Sequence, residues 1–147
     1  MVAASLKNVI PGLLRRFHEA KIARAPEVVL WGTGTPRREF LYIDDLAEAL
    51  VTLLERYERP ELVNIGTGDD CTIRELAELV REVVGYEGAI ALDPSKPDGT
   101  PRKVLDVGRI RSLGWTPKVP LRAGLARAYS WALEHGALTA APHGRLS

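Results

Sequence analysis

The stretch Glu27-Val-Val-Leu-Trp31, followed by Gly32-Thr-Gly34, decides the fold class of this chain. Its apolar run is too short for a stable helix, and the two glycines end it with a turn. The pattern therefore predicts a short buried strand that ends at Trp31. Because longer amphipathic segments lie on both sides of this strand, the chain is predicted to be a small α/β domain.

Four helices are predicted around the strand from apolar residues that recur every three or four positions, over residues 9–21, 46–57, 73–84 and 121–135. The third is the most strongly marked, since Thr72 and Glu75 form a capping box. Asp44 and Asp45 are predicted to cap the second helix, and Asp106 a shorter fifth one over 107–113. The buried face of the second helix is predicted to comprise Leu46, Ala47, Leu50, Leu53, Leu54 and Tyr57.

Two further short strands are predicted, over residues 62–65 and 89–92, and a second Gly-Thr-Gly turn follows the first of them. The expected architecture is α/β, with short strands, about five helices and no complete Rossmann sheet. Residues 1–136 are predicted to form one domain, and residues 137–147, which show no periodicity, a flexible tail.

The composition excludes several classes of protein. Twenty Lys and Arg residues against nineteen Asp and Glu give a net charge of +1 over 147 residues, which lacks the basic excess of a general nucleic-acid binder. The single cysteine, Cys71, cannot form an intramolecular disulfide. No apolar run is long enough to span a membrane, and no signal peptide is evident. These features predict a soluble cytoplasmic domain that binds neither nucleic acid nor membrane.

The two Gly-Thr-Gly turns invite comparison with dinucleotide-binding loops. That fingerprint requires a third glycine three residues further on, where this chain has Arg37 and Cys71. Both turns are therefore predicted to be simple exits from strands, and this chain is expected to bind no cofactor.

The other candidate catalytic residues have simpler interpretations. The histidines, His18, His135 and His143, lack the spacing of metal ligands, and His18 is predicted to lie on a solvated helix face. Cys71 follows two aspartates, which raise the pKa of a thiol, and it is interpreted as an unreactive loop residue. No metal site is predicted.

Two cationic loops are more informative. Arg37 and Arg38 follow the first glycine turn, and the loop over 96–103 carries three cations and is made rigid by two prolines. Arginine binds phosphate oxygens in a bidentate manner, and Trp31 offers a surface on which a base can stack. The loops predict a pocket for an anionic, planar ligand; the alternative is a set of solvated surface charges.

These segments resemble the substrate-binding half of GDP-L-fucose synthases, which are extended short-chain dehydrogenases. The resemblance covers about residues 5–135. It is carried by Val9-Ile-Pro11, by Trp31-Gly-Thr-Gly-Thr-Pro-Arg-Arg-Glu-Phe40 and, most specifically, by Lys96-Pro-Asp-Gly-Thr-Pro-Arg-Lys103.

The resemblance implies a site and an activity. The family converts GDP-4-keto-6-deoxymannose to GDP-L-fucose by two epimerisations and an NADPH-dependent reduction. By resemblance, Arg16, Trp31, Arg38 and Asp98 fall on positions that contact the GDP-sugar. The arginines suit the diphosphate, Trp31 an apolar wall, and Asp98 the donor groups of the ligand.

The chain departs from the family in two respects. No tyrosine is followed four residues later by lysine, so the family's cofactor-binding half with its Tyr-x-x-x-Lys pair has no counterpart here. Asn8 occupies the position of the family's catalytic histidine, and an amide cannot donate a proton at neutral pH. No catalytic residue is therefore assigned. The complete enzyme is expected to use NADPH, and this chain to need a separate cofactor-binding domain or chain.

Two other interpretations remain open. One is a non-catalytic module that binds nucleotide sugars or mediates an interaction. The other is a domain of a related epimerase or dehydratase that acts on UDP- or dTDP-sugars.

Overall fold

A computed structural model describes residues 9–138 of the chain, in which helices and short strands alternate. The helices are α1 (Val9–Ala23), α2 (Ile43–Arg56), α3 (Ile73–Val84), α4 (Gly108–Ser112) and α5 (Leu121–Glu134). The strands are β1 (Glu27–Trp31), β2 (Arg37–Arg38), β3 (Cys71–Thr72), β4 (Ala89–Asp93) and β5 (Arg102–Lys103). The predicted α/β class, with five helices and no complete Rossmann sheet in the described residues, is confirmed.

The strands form two small sheets. In the first, β1 and β4 run parallel, with Val28 opposite Ile90 and Trp31 opposite Asp93. In the second, β2 lies between antiparallel β3 and parallel β5. Because β1 and β4 are parallel, their carboxyl ends meet at one edge, and the loops that follow both strands begin side by side.

Most buried apolar side chains belong to one cluster, called here the main cluster. Helix α1 packs on β1, α3 packs on α1, and α5 packs on α3, while the inward face of β1 contributes Val28 and Leu30. Phe17, Leu76 and Val80 are completely buried at its centre. The cluster contains Leu13, Leu14, Phe17, Ala20, Val28, Leu30, Leu76, Ala77, Val80, Val84, Tyr86, Leu125, Tyr129, Ala132 and Leu138.

The prediction that His18 lies on a solvated face is wrong. Its side chain is buried, and its Nδ1 lies 2.9 Å from the hydroxyl oxygen of Tyr129 in α5. Burial raises the pKa of Tyr129. A histidine can occupy this position because α5 supplies a partner for its ring nitrogen.

A second cluster is smaller. It comprises Ala49, Val107, Ile110 and Trp115, and the partly buried Leu41, Leu53, Val63 and Ile65 pack against it. Trp115 is buried, and no described residue accepts a hydrogen bond from its Nε1. Helix α4 contributes Ile110 to this cluster, and α2 contributes Ala49 and Leu53.

Helix α2 corrects two predictions. It begins at Ile43 with Tyr42 as its N-cap residue, so Asp44 and Asp45 lie in the first turn and neither caps it. Asp45 is buried, and its Oδ2 accepts hydrogen bonds from the backbone N–H groups of Lys118 and Val119 at 3.1 and 2.9 Å. Its carboxylate therefore holds a distant loop.

The predicted buried face of α2 is also partly wrong, since Leu50 and Leu54 are exposed. The buried residues of this helix are Asp45 and Ala49. The apolar stripe of the sequence is thus wider than the surface that the second cluster covers.

The predicted strand over 62–65 is wrong as well. A strand requires a hydrogen-bonded neighbour, and none of the strands within residues 9–138 pairs with this segment. Val63 and Ile65 nevertheless pack against the second cluster, while Leu62 is 92% exposed. The side chains therefore alternate as in a strand, although no ladder forms.

The ends of α3 agree with the sequence. Thr72 and Glu75 form the predicted capping box, and Gly85 ends α3 at a φ of +70°. The prediction that Asp106 caps α4 is wrong, since Val107 is the N-cap residue and makes no side-chain cap. Asp106 lies one residue earlier and accepts a hydrogen bond from the backbone N–H of Gly108 at 2.9 Å. Packing continues beyond the predicted domain end at residue 136, since Leu138 is buried in the main cluster. Among residues 9–138, no helix combines the length and the apolarity needed to cross a membrane.

Candidate functional site

The two cationic loops start next to each other at the carboxyl ends of β1 and β4. The backbone N–H of Gly32 donates to the carbonyl of Asp93 at 2.8 Å, where the second loop begins. The Asp93 carboxylate accepts from the hydroxyl and the backbone N–H of Ser95, and the hydroxyl contact is the main reason that its pKa is lowered. The sheet therefore brings together the loops that the sequence singled out.

Asp98 fastens the second loop to the first glycine turn. Its Oδ1 accepts a hydrogen bond from the Thr33 N–H at 2.9 Å, and its Oδ2 accepts from the Thr33 hydroxyl at 2.7 Å. Gly32 has a φ of +87°, and a Cβ placed on it would lie 2.2 Å from Asp98 Oδ1. Both the backbone conformation and the seated carboxylate therefore require glycine at this position.

Arg38 makes a second contact between the two loops. Its Nη1 donates to the carbonyl of Thr100 at 2.6 Å and to that of Arg37 at 2.7 Å. Within residues 9–138, no acceptor contacts its Nε or Nη2, so these donors are available to a ligand. Arg38 also borders a cleft of about 290 Å³ that Phe40, Thr67 and Cys71 help to line.

Arg37 points in the other direction, as the alternation of a strand requires. Its Nε contacts Asp70 Oδ1 at 2.7 Å, and Arg102 Nε contacts the other oxygen of the same carboxylate at 2.5 Å. These two bonds, with the one from Arg102 contributing most, lower the pKa of Asp70, and Asp70 in turn raises the pKa of Arg37. Two of the predicted loop cations thus form a structural contact with Asp70.

Trp31 lies on the outward side of β1, and Arg16 of α1 reaches the backbone of the same strand. Trp31 is 41% exposed and points to the same side of the strand as Val29. Arg16 Nη1 approaches the carbonyl of Val29 at 3.4 Å. The ammonium of Lys96, from the second loop, lies 5.7 Å from the centre of the Trp31 ring. A cation therefore lies beside this exposed aromatic surface.

Glu39 is a site residue that the sequence analysis missed. Its Oε1 accepts from the N–H of Gly68 at 2.7 Å, and its Oε2 accepts from the N–H of Leu105 at 2.8 Å. A Cβ on Gly66 would lie 2.2 Å from Glu39 Oε1. No local sequence pattern predicts this contact, because Glu39 and Gly68 are 29 residues apart in the chain.

A carboxylate therefore accepts a backbone hydrogen bond from each glycine turn. Asp98 contacts the first turn, and Glu39 contacts the second. The backbone N–H groups of Gly32, Thr33 and Gly68 already donate to Asp93, Asp98 and Glu39. These turns therefore do not offer the free N–H groups with which a dinucleotide-binding loop holds a diphosphate.

The remaining candidates make no catalytic cluster in the described residues. Cys71 lies in β3 and not in a loop, and burial is the main cause of its raised pKa, followed by the charge of Glu75. No group of three or more His, Cys, Asp or Glu within residues 9–138 could hold a metal ion. Asn8 and His143 lie outside the described residues.

Comparisons with known proteins identify the relatives of this chain. Residues 3–66 match the NAD dependent epimerase/dehydratase family. The chain is 62% identical over 128 residues to GDP-L-fucose synthase 1 of Arabidopsis thaliana, an alignment that covers 87% of this chain and 40% of the relative. It is 54% identical over 140 residues to the GDP-L-fucose synthase of Escherichia coli K12, which covers 89% of this chain and 44% of the relative.

The fold agrees with these relatives. The crystal structure of a GDP-L-fucose synthetase from Naegleria fowleri superposes with a TM-score of 0.81 at 25% identity, over 88% of this chain and 40% of that one. The structure is thus a part of an extended short-chain dehydrogenase fold. The chain spans about two fifths of the length of the relatives it matches. It is homologous to the GDP-L-fucose synthases of the NAD-dependent epimerase/dehydratase family and corresponds to a portion of them.

Proposed function

We propose that this chain is the GDP-sugar-binding part of an NADPH-dependent epimerase/reductase of the GDP-L-fucose synthase type. The observation that carries the proposal is the joining of the two cationic loops by Asp98 and Arg38 beside Trp31. The relatives that align with 87% and 89% of this chain are named GDP-L-fucose synthases. A nucleoside diphosphate requires cationic groups for its phosphates and an aromatic surface for its base, and the joined loops bring both together.

The residues proposed to contact the GDP-sugar still have donors, acceptors or apolar surface to offer to it. Arg38 holds the loop through Nη1 and can offer Nε and Nη2 to the diphosphate, while Arg16 supplies a second cation. Trp31 supplies an apolar wall for the base. Each oxygen of Asp98 accepts one hydrogen bond from Thr33 and can accept another from a ligand hydroxyl or amino group.

The proposal assigns NADPH to another part of the complete enzyme. The two glycine turns, with their seated carboxylates, support this assignment. The 147-residue chain also lacks a Tyr-x-x-x-Lys pair. We therefore expect that this chain alone neither oxidises NADPH in the presence of GDP-4-keto-6-deoxymannose nor exchanges the sugar's protons with solvent deuterium, and proton NMR with an NADPH absorbance assay will test both expectations.

Calorimetry with GDP, UDP and NADPH tests the binding proposal directly. Heat of binding is expected for GDP, with weaker binding of UDP and no binding of NADPH. Preference for UDP would instead favour an enzyme of UDP-sugars. Binding of NADPH at micromolar concentration would contradict the assignment of the cofactor to another part.

Arg38 and Arg37 form a matched pair for mutagenesis. Arg38→Ala is expected to weaken GDP binding by about 1.5–3 kcal/mol, the range for a hydrogen bond to a charged group. Arg37→Ala is expected to lower thermal stability, since it breaks the contact with Asp70, and to leave GDP affinity nearly unchanged. Equal losses of affinity would indicate diffuse electrostatic attraction and not a defined diphosphate contact.

A further inference from the structure

The carboxylate of Asp70 has two arginine partners that belong to different strands. Its Oδ1 accepts from Arg37 Nε in β2 at 2.7 Å, and its Oδ2 accepts from Arg102 Nε in β5 at 2.5 Å. The Asp70 side chain is 5% exposed, whereas the side chains of the two arginines are 41% and 63% exposed. Hydrogen bonds between charged groups are stronger than neutral ones. Asp70 is therefore a buried anchor for two exposed cations.

The contact crosses the middle strand of the second sheet. Asp70 directly precedes β3, and β2 lies between β3 and β5. Each of these strands has two residues, so few backbone hydrogen bonds hold the edge strand β5 in register. The bond from Arg102 to Asp70 joins β5 to the far side of this sheet. A side-chain contact thus supplements a short backbone ladder.

The edge strand β5 in turn determines the position of a carbonyl that binds Arg38. Thr100 lies two residues before Arg102, and its carbonyl accepts from Arg38 Nη1 at 2.6 Å. A Cβ on Gly99 would lie 3.1 Å from Arg38 Nη2, so the guanidinium lies directly against this part of the loop. The direction in which Arg38 presents its remaining donors therefore depends on where β5 holds the preceding residues.

We propose that Asp70 is a positioning residue for the GDP diphosphate. It holds β5 through Arg102, and the Thr100 carbonyl before β5 then directs the Arg38 guanidinium toward the ligand. The inference rests on the proposed function, in which Arg38 contacts the diphosphate. Asp70 acts without touching the ligand, since a carboxylate repels a diphosphate. Arg37 lies on β2 itself, so its loss leaves the bond between Asp70 and β5 in place.

Asp70→Ala tests the proposal through the sign of its effect on GDP affinity. The substitution removes both acceptors together with the negative charge. Loss of a negative charge near an anion site would by itself strengthen GDP binding. The proposal predicts the opposite, a weakening of at least about threefold in calorimetry, because Arg38 loses its fixed direction. Unchanged or tighter binding of GDP would overturn the proposal.

Asp69→Ala is the matched control, because it removes the same charge and the same side chain at the neighbouring position. Asp69 is exposed, and within residues 9–138 its carboxylate has no hydrogen-bond or ion-pair partner. This variant is expected to bind GDP as tightly as the unmodified chain, or more tightly. Equal weakening by the two alanine variants would contradict a role of the Asp70 contacts.

The two arginines provide a second matched pair, Arg102→Gln and Arg37→Gln. Each variant removes one positive charge and one bond to Asp70, so diffuse attraction of GDP falls to a similar extent. Arg102→Gln is expected to weaken GDP binding at least about twofold more than Arg37→Gln does, because Arg102 is the partner on β5. Equal affinities of the two variants would overturn the proposal, also where Asp70→Ala does not fold.

A double-mutant cycle with Arg38→Ala separates positioning from other effects. In that background Asp70→Ala is expected to change GDP affinity by about twofold or less, since the positioned group is absent. A loss as large as in the unmodified chain would show that Asp70 does not act through Arg38. Circular dichroism verifies that each variant is folded at the temperature of the calorimetry.

The same titrations distinguish failure of this inference from failure of the proposed function. If the unmodified chain binds no GDP, the proposed function is wrong and the inference falls with it. If the unmodified chain binds GDP and the affinities of the variants follow their charge alone, the proposed function stands and only the role of Asp70 is wrong.

Discussion

The main cluster and the second cluster differ in how completely the chain supplies hydrogen-bond partners to their buried polar groups and covers their apolar side chains. In the main cluster, the buried His18 contacts the hydroxyl of Tyr129, and Phe17 is completely buried. In the second cluster, the buried Nε1 of Trp115 has no acceptor in the described part of the chain, and α2 leaves Leu54 exposed. The first region is closed by its own chain, whereas the second presents unused apolar surface.

This difference explains where sequence patterns succeed and where they fail. The helices and strands that enclose the main cluster agree with the predicted ones. Two failures, the strand over 62–65 and the buried face of α2, occur at the second cluster, whereas the burial of His18 is a failure at the main cluster. An amphipathic pattern specifies which side of an element avoids water, and the partner that covers this side need not be in the same chain.

Substitution of a central aromatic residue is expected to give the largest effect. Phe17→Ala should destabilise the chain by about 3–5 kcal/mol, because it leaves a cavity in a closed core. Leu54→Ala should change stability by less than about 0.5 kcal/mol, since its side chain is in solvent. Urea unfolding followed by circular dichroism measures both. Comparable losses would show that α2 is covered in solution.

The next effect concerns buried polar groups. Tyr129→Phe should cost about 1–3 kcal/mol, because it leaves His18 buried without a partner. Trp115→Phe should cost less, since the lost packing is offset by the removal of a buried donor that has no acceptor among residues 9–138. Thermal unfolding of the two variants compares them. A greater loss for Trp115→Phe would indicate that its N–H is satisfied in solution.

Removal of a helix cap should also destabilise the chain more at the main cluster than at the second cluster, but by a smaller amount. Thr72→Ala removes the hydroxyl that accepts from the Glu75 backbone N–H and should cost about 1 kcal/mol, although the backbone N–H of residue 72 can still donate to Glu75. Asp106→Ala should cost less, because Asp106 accepts one bond at the start of α4, which has five residues. The test is the urea midpoint of each variant, and a larger shift for Asp106→Ala would reverse the ordering of the two regions.

The smallest expected effect is a change in pH dependence at the sheet that connects the two regions. The contacts with Arg102 and Arg37 lower the pKa of Asp70 in the folded chain. Its stabilisation is therefore complete above the unfolded pKa of about 3.9 and is lost as the pH falls through the lower, folded value. Asp70→Asn should flatten the loss of stability below about pH 4. An unchanged pH profile of the urea midpoint would contradict this contribution.

The candidate site could be anticipated only in outline. The cationic loops after two strands indicated an anionic ligand, and parallel pairing of β1 and β4 places those loops together. The separate directions of Arg37 and Arg38 follow from strand alternation. The contacts of Glu39 and Asp98 with the glycine turns could not be predicted, because each joins residues that are far apart in the chain.

Local sequence alone determined the ends of α3, the strand before Gly32 and the amphipathic character of every long helix. Caps, turns and periodicity depend on residues within a few positions of one another, so their chemistry is complete in a short segment. Only the tertiary structure decided which carboxylate is seated on each glycine turn and which apolar stripe is covered. Those outcomes depend on segments that are distant in the chain, as the exposed face of α2 and the unpaired segment 62–65 show within residues 9–138.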